Sequence, residues 1–173
     1  EFRATVPRRL AQLRSMAPEE FDEVSFSPIG EVPYRDFMGV RVFDTWMHEQ
    51  DMRRALGRPG HETGPVVDRA LGNIRRALGF IVGKKAPAPD GASVVFATTG
   101  GNEVTIAVVV DGRATVVDEV PVDPTVRLTM PFATFIALPG GRIDADAGEA
   151  EGLVYEGDTD LGRRVAEHLG FTP

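Results

Sequence analysis

Residues 93–117 read SVVFATTGGNEVTIAVVVDGRATVV, and this stretch decides the fold class. Three runs, Ser93 to Thr98, Val104 to Val110 and Ala114 to Val117, are rich in Val, Ile, Thr and Phe, the residue types that suit a pleated, half-buried backbone. Asp111-Gly112 joins the last two. That dipeptide tolerates the positive backbone angles of a tight hairpin turn, so these runs pair antiparallel. Gly100-Gly101 lacks the strand-to-helix setting of a phosphate loop and reads as an ordinary turn. Downstream, Val126 to Thr129 is a fourth strand, Pro131 to Leu138 a short helix ending at the turn Gly140-Gly141, and Gly152 to Tyr155 a weak strand. A closing helix from Thr159 to about Leu169 has Asp158 placed as its N-cap. Residues 92–173 are therefore expected to be α+β with an antiparallel sheet.

Upstream the period changes from two to between three and four. Phe2, Val6, Leu10, Leu13 and Met16 recur at helical spacing with Arg8, Arg9 and Arg14 between them, and residues 17–33, with Pro18, Pro28, Gly30 and Pro33, read as a connecting loop that is extended around residues 23–27. A long helix from about Tyr34 to Leu56 follows Pro33 and stops at Gly57. Another, about Gly64 to Val82, repeats Val67, Leu71, Ile74, Leu78 and Ile81. Charge and period both shift at Lys84 to Gly91 (KKAPAPDG), which places a linker at 84–91 between a helical region, 1–83, and the α+β region, 92–173. The chain opens on Glu1-Phe2-Arg3 inside a helix, without an initiator Met, so the helical region is expected to lack preceding helices.

Composition narrows the function classes. The 173 residues are 42% hydrophobic and 26% charged, enough to bury a core. There are 19 Lys and Arg against 26 Asp and Glu, a net charge of −7. Residues 1–85 hold 14 basic and 12 acidic residues (+2) and residues 86–173 hold 5 and 14 (−9), which argues against nucleic acid as a partner. Zero cysteines exclude disulfides, a thiolate nucleophile and Cys-ligated metal. No apolar run reaches the roughly 20 residues a membrane helix needs, and no signal peptide is evident, so a cytoplasmic location without membrane attachment is the default.

The sharpest motif is Asp44-Thr-Trp-Met-His48, in mid-helix. A spacing of four sets carboxylate and imidazole one turn apart on one face, about 5 to 6 Å between Cβ atoms, where they can share a divalent ion. Asp51, one turn on, is placed to accept from the outer nitrogen of His48 and fix its tautomer. The alternative is a plain helix-surface hydrogen bond. A catalytic zinc site uses three protein ligands, and neither other histidine is well placed: His61 would require the chain to double back, and His168 lies on the closing helix. Arg53, Arg54, Arg75 and Arg76 read as solvent-exposed or facing the acidic half.

The run RVFDTWMHEQDMRRALGRPG, residues 41–60, resembles the signature helix of the mycothiol-dependent maleylpyruvate isomerase family, a branch of the DinB-like metal-binding four-helix bundles. The match is at Asp44, His48, Asp51 and Ala55-Leu56-Gly57-Arg58-Pro59. Residues 132–142 (FATFIALPGGR) and 152–158 (GLVYEGD) resemble that family's carboxy-terminal, sterol-carrier-like domain. The fold class so implied is α+β, a partial DinB-like helical bundle followed by a small sterol-carrier-like domain.

What the resemblance implies is an enzyme with a divalent metal, zinc, held by Asp44 and His48 and by a histidine on an earlier helix. Its thiol co-substrate would be mycothiol, whose thiolate adds to a small electrophilic, dicarboxylate-type substrate. Arg142 falls where a basic residue of the family meets substrate carboxylates, a task suited to a guanidinium; the alternative is a structural pair with Asp144 or Asp146. The partners expected are a small molecule and a low-molecular-weight thiol, with a homodimer left open. The competing reading is a non-enzymatic protein that binds an apolar small molecule through its carboxy-terminal domain, prompted by the stripe Phe132, Phe135, Ile136 and Leu138. That reading fails if the helix carrying the stripe packs down and leaves no cavity.

Overall fold

A computed structural model describes residues 2–27 and 30–172, without the side chain of Phe2; Pro28 of the expected loop and the Phe2 position of the first apolar stripe lie outside what is described. The first helix, α1, spans Phe2–Ser15, and no described side chain on it is buried. The expected loop at 17–33 is more ordered than its prolines suggest. A 3-10 turn, Pro18–Asp22, leads into a hairpin of β1, Val24–Ser27, and β2, Gly30–Pro33, with Val24 opposite Pro33. Pro33 is compatible with this because it closes an edge, where its missing N–H is not required.

The long helix α2, Tyr34–Ala55, buries Phe43, Trp46, Met47 and Gln50. Gly57, at φ 60°, ends it with the left-handed residue that lacks a Cβ to clash. Next, α3 covers Pro65–Phe80 and runs into a π turn, Ile81–Lys85, so Lys84 and Lys85 continue a helix rather than open the linker.

The sheet has β3, Ser93–Thr99; β4, Thr105–Asp111; β5, Arg113–Val117; β6, Val126–Pro131; and β7, Val154–Gly157, in the order β5-β4-β3-β6-β7. Three of its pairings are antiparallel, including the hairpin at Asp111-Gly112, while β3 and β6 run parallel at its centre. That parallel register is pinned at its start by reciprocal bonds: Ser93 N–H donates to Thr125 Oγ1 at 3.0 Å, and Thr125 N–H donates to Ser93 Oγ at 3.1 Å. Three helices complete the fold: α4, Phe132–Ala137; α5, Ala145–Ala150, capped by Asp144; and α6, Thr159–Glu167, capped by Asp158 as expected.

One apolar core takes in residues from both sides of 84–91. Trp46 and Met47 from α2, with Ile74 and Leu78 from α3, join Phe96, Ile106, Leu128 and Met130 from the sheet and Phe135, Leu161 and Val165 from the later helices. Each fully buried side chain of this size contributes roughly 1.5–3 kcal/mol, so helices and sheet stabilise each other directly. No helix among the described residues is long and apolar enough to cross a membrane.

Candidate functional site

The outer face of α2 carries Asp44, His48 and Asp51 as the helical spacing requires. His48 Nε2 stands 3.5 Å from Asp44 Oδ1, and His48 Nδ1 stands 3.4 Å from Asp51 Oδ2. The second distance is long for a hydrogen bond, so Asp51 is a charged neighbour of the imidazole and not its firm acceptor. Asp51 is instead committed to a partner 91 residues away. Arg142 Nε donates to its Oδ1 at 3.0 Å and Arg142 Nη2 to its Oδ2 at 2.9 Å, a bidentate fork between α2 and the turn after α4. Arg142 also donates to the carbonyl of Gly140. These hydrogen bonds hold the Asp51 carboxyl below the usual carboxylate range against the opposing effect of burial, and Asp51 in turn raises Arg142.

This overturns the alternative pairing of Arg142. Asp144 accepts from Ala147 N–H as a helix cap and Asp146 pairs with Arg163, so neither carboxylate meets the Arg142 guanidinium. The turn that carries Arg142 depends on glycine. A Cβ on Gly140 would lie 2.5 Å from Met47 Cε, the mobile end of that side chain, and 3.1 Å from the Ile136 carbonyl oxygen, so a larger residue would require both neighbours to shift, while Gly141 adopts φ 67°.

The separation of Asp44 and His48 bears on their capacity to share a metal ion. Two ligands of one tetrahedral zinc stand roughly 3.3 Å apart, which the 3.5 Å spacing approaches. They are two ligands where a catalytic zinc takes three, Asp51 is engaged by Arg142, and among the described residues no group of three or more His, Asp or Glu is arranged to hold an ion. The fit is therefore incomplete. The side chains of His48 and Asp44 are also 64% and 57% exposed, where water competes with any ligand role.

His61 does double back onto α2, contrary to the expectation from chain length. Trp46 Nε1 donates to its carbonyl at 3.0 Å, Gln50 Nε2 donates to the Gly60 and His61 carbonyls at 3.3 Å each, and its own Nδ1 lies 2.7 Å from Glu49 Oε2. Positive φ at Gly57, Gly60, His61 and Gly64 permits the reversal. Its partner is Glu49, not His48, so it adds no ligand to the Asp44–His48 pair. The signal for this loop was the glycine spacing in GRPGHETG, residues 57–64. His168 is exposed, with Nδ1 against the Arg164 carbonyl at 2.8 Å. Arg54 reaches Glu151 and Arg75 reaches Asp118, so two of the four basic residues do face the acidic half.

Between α2, the 57–62 loop and α4 lies an apolar cavity of about 120 Å³, walled by Met47, Ala133, Ile136 and Ala137 with Asp51 and Arg142 at its side. The apolar stripe of α4 packs down, since Phe132, Phe135, Ile136 and Leu138 are all buried. The space is on the side of α4 that faces α2.

No protein-family model matches the chain, and no curated protein matches it. Among solved structures it is similar to sterol carrier protein 2 from Yarrowia lipolytica in its apo form, at 16% identity over 58% of this chain and 88% of that one, TM-score 0.44. It is also similar to sterol carrier protein 2 like 2 from Aedes aegypti, at 19% identity over 58% and 97%, TM-score 0.46. A third similar structure is the UbiJ-SCP2 ubiquinone synthesis protein, at 14% identity over 61% and 99%, TM-score 0.43.

Proposed function

We propose that the chain binds a small apolar molecule in the cavity between α2 and α4. The observation that carries this reading is the cavity itself, about 120 Å³ with Met47, Ile136 and Ala137 for walls. An apolar cavity of roughly 150 Å³ takes up benzene and excludes water, so the occupant matching this one is a ring or a short alkyl segment rather than a whole sterol. Ala133, exposed at the mouth, gives the test, because Ala133→Trp fills the entrance without disturbing the core. Thermal unfolding with a series of alkylbenzenes should show saturable stabilisation, about 2.7 kcal/mol at a hundredfold excess over Kd, that the variant lacks. No stabilisation by any member, or the same stabilisation in the variant, would sink the reading.

A second reading is the metal-dependent thiol addition of the mycothiol-dependent maleylpyruvate isomerase type. It is supported by the 3.5 Å separation of His48 Nε2 and Asp44 Oδ1 on the same helix that walls the cavity. Zinc would supply Lewis acidity to a bound thiol. Elemental analysis after zinc loading tests it: metal bound by the parent and lost in His48→Ala is the expected result, and metal retained undiminished in His48→Ala rules it out.

A further inference from the structure

A second, wider concavity lies away from the α2–α4 cavity. It is a groove of about 940 Å³ between the C-terminal end of α3 with its π turn and the β4–β5 hairpin. Its floor is made by small residues: a Cβ on Gly79 would lie 2.9 Å from the Ala114 carbonyl oxygen, and one on Gly83 would lie 2.7 Å from Ala114 Cβ, so helix and strand meet there without intervening side chains. Its walls are cationic. Arg75, Arg76, Lys84 and Arg113 line it with Asp90 as the one acid, a net of +3 within a chain of −7. Asp90 is spent on the hairpin, accepting from Gly112 N–H at 2.7 Å.

Arg76, Phe80 and Lys84 follow one another at intervals of four, which places them along one helix face. Phe80 is 59% exposed there, a large aromatic ring left in water. Arg75 is occupied by Asp118 and Arg76 by Asn73. Lys84 and Arg113, by contrast, have no hydrogen-bond or ion-pair partner through their side chains among the described residues, and they come from different walls, one from the π turn and one from β5. The groove thus offers two free cations and an uncovered aromatic face.

We propose that this groove binds a nucleoside diphosphate, with the base on the Phe80 ring and the phosphates between Lys84 and Arg113. The volume is within the range of small-molecule sites, roughly 300–1,000 Å³. A flat base gains by stacking on an exposed aromatic ring, and phosphate oxygens take charge-assisted hydrogen bonds from ammonium and guanidinium groups. A small anion suits the site better than an extended one. The chain's net charge of −7 repels an anionic membrane or a nucleic acid at range, whereas a concave cationic lining acts on a ligand that has entered it.

The experiment is titration calorimetry of the full chain with ADP, inorganic pyrophosphate and adenosine at low and moderate salt. It is repeated on Lys84→Ala/Arg113→Ala and on Phe80→Ala, with circular dichroism confirming that these exposed-residue variants stay folded. ADP should bind saturably and more tightly than pyrophosphate or adenosine. The double variant should weaken it by about a hundredfold, tenfold per cation, and Phe80→Ala should weaken ADP by about tenfold while leaving pyrophosphate unchanged. Absence of saturable ADP binding overturns the proposal, as does binding undiminished in the double variant. Pyrophosphate binding as tightly as ADP, with Phe80→Ala silent, overturns it as well.

Discussion

Helices α1 and α2 have similar credentials as sequences, both with apolar residues every three or four positions and arginines between them, yet they end in opposite surroundings. In α2, Phe43, Trp46 and Met47 are 6%, 1% and 3% exposed, while in α1 Val6 and Leu10 are 38% and 44% exposed. Periodicity reports that a helix has two faces and is silent on whether anything covers the apolar one. What covers α2 comes from elsewhere: α3 across a loop, and α4 and its following turn from the far end of the chain. Consequently the residues that anchor α2 and those that make it a candidate site share one helix on adjoining faces, with Met47 and Asp51 together lining the α2–α4 cavity.

The sharpest way to break this comparison is Trp46→Ala. The ring is fully buried, stands 6.4 Å from Phe132 between centroids, and its Nε1 donates to the His61 carbonyl. Removing it should cost about 3–5 kcal/mol, seen as a fall in the urea midpoint followed by circular dichroism. Trp46→Phe keeps most of the packing and drops only the donor, so its cost should be nearer 1 kcal/mol and concentrated in faster amide exchange across residues 57–64. A loss below about 1 kcal/mol for Trp46→Ala would mean that α2 is no better anchored than α1.

Legibility followed the reach of each interaction. The β4–β5 hairpin was readable because its determinant, Asp111-Gly112, is local, and the caps at Asp158 and Gly57 are local too. The parallel pairing of β3 with β6 was not, since Ser93 and Thr125 recognise each other over 32 residues and nothing in either strand names its neighbour. The candidate site shows the same division. Asp44, His48, Asp51 and Arg142 were each singled out, and the structure brings all four to one side of α2. The Asp51–Arg142 fork itself was missed in favour of nearby Asp144 or Asp146, because sequence proximity is the only partner signal a lone arginine gives. The turn of the chain at His61 was missed for a related reason: it is held by the side chains of Trp46 and Gln50, whose role in the core hides their second role as donors.

A smaller effect tests the fork. Asp51→Asn keeps the shape and removes the charge facing Arg142, in a position about a third exposed, so the expected loss at neutral pH is about 1 kcal/mol. The Asp51 carboxyl holds its proton less tightly folded than unfolded, chiefly through the Arg142 hydrogen bonds. Its contribution is therefore complete above about pH 4 and is lost as pH falls through the lowered folded value. Glu49, lowered first by His61 and then by Arg53, adds to the same acid-side slope. Stability measured from pH 6 down to pH 2 should decline less steeply in Asp51→Asn than in the parent. Parallel curves would show that the fork contributes nothing to folding.

The smallest effect belongs to α1. Leu10→Ala removes an apolar side chain that already meets water over 44% of its surface, on a helix whose described side chains include none that is buried. Ala is at least as good a helix former as Leu, so propensity offsets what little packing is lost. The change in unfolding free energy should stay within about 0.5 kcal/mol, as for surface substitutions in general. The same substitution at Leu78, at the same helical period but 0% exposed, should cost about 2–5 kcal/mol. If Leu10→Ala instead costs more than about 1 kcal/mol, the apolar face of α1 is covered in solution, and a dependence of that loss on protein concentration would identify the cover as a second copy of the chain.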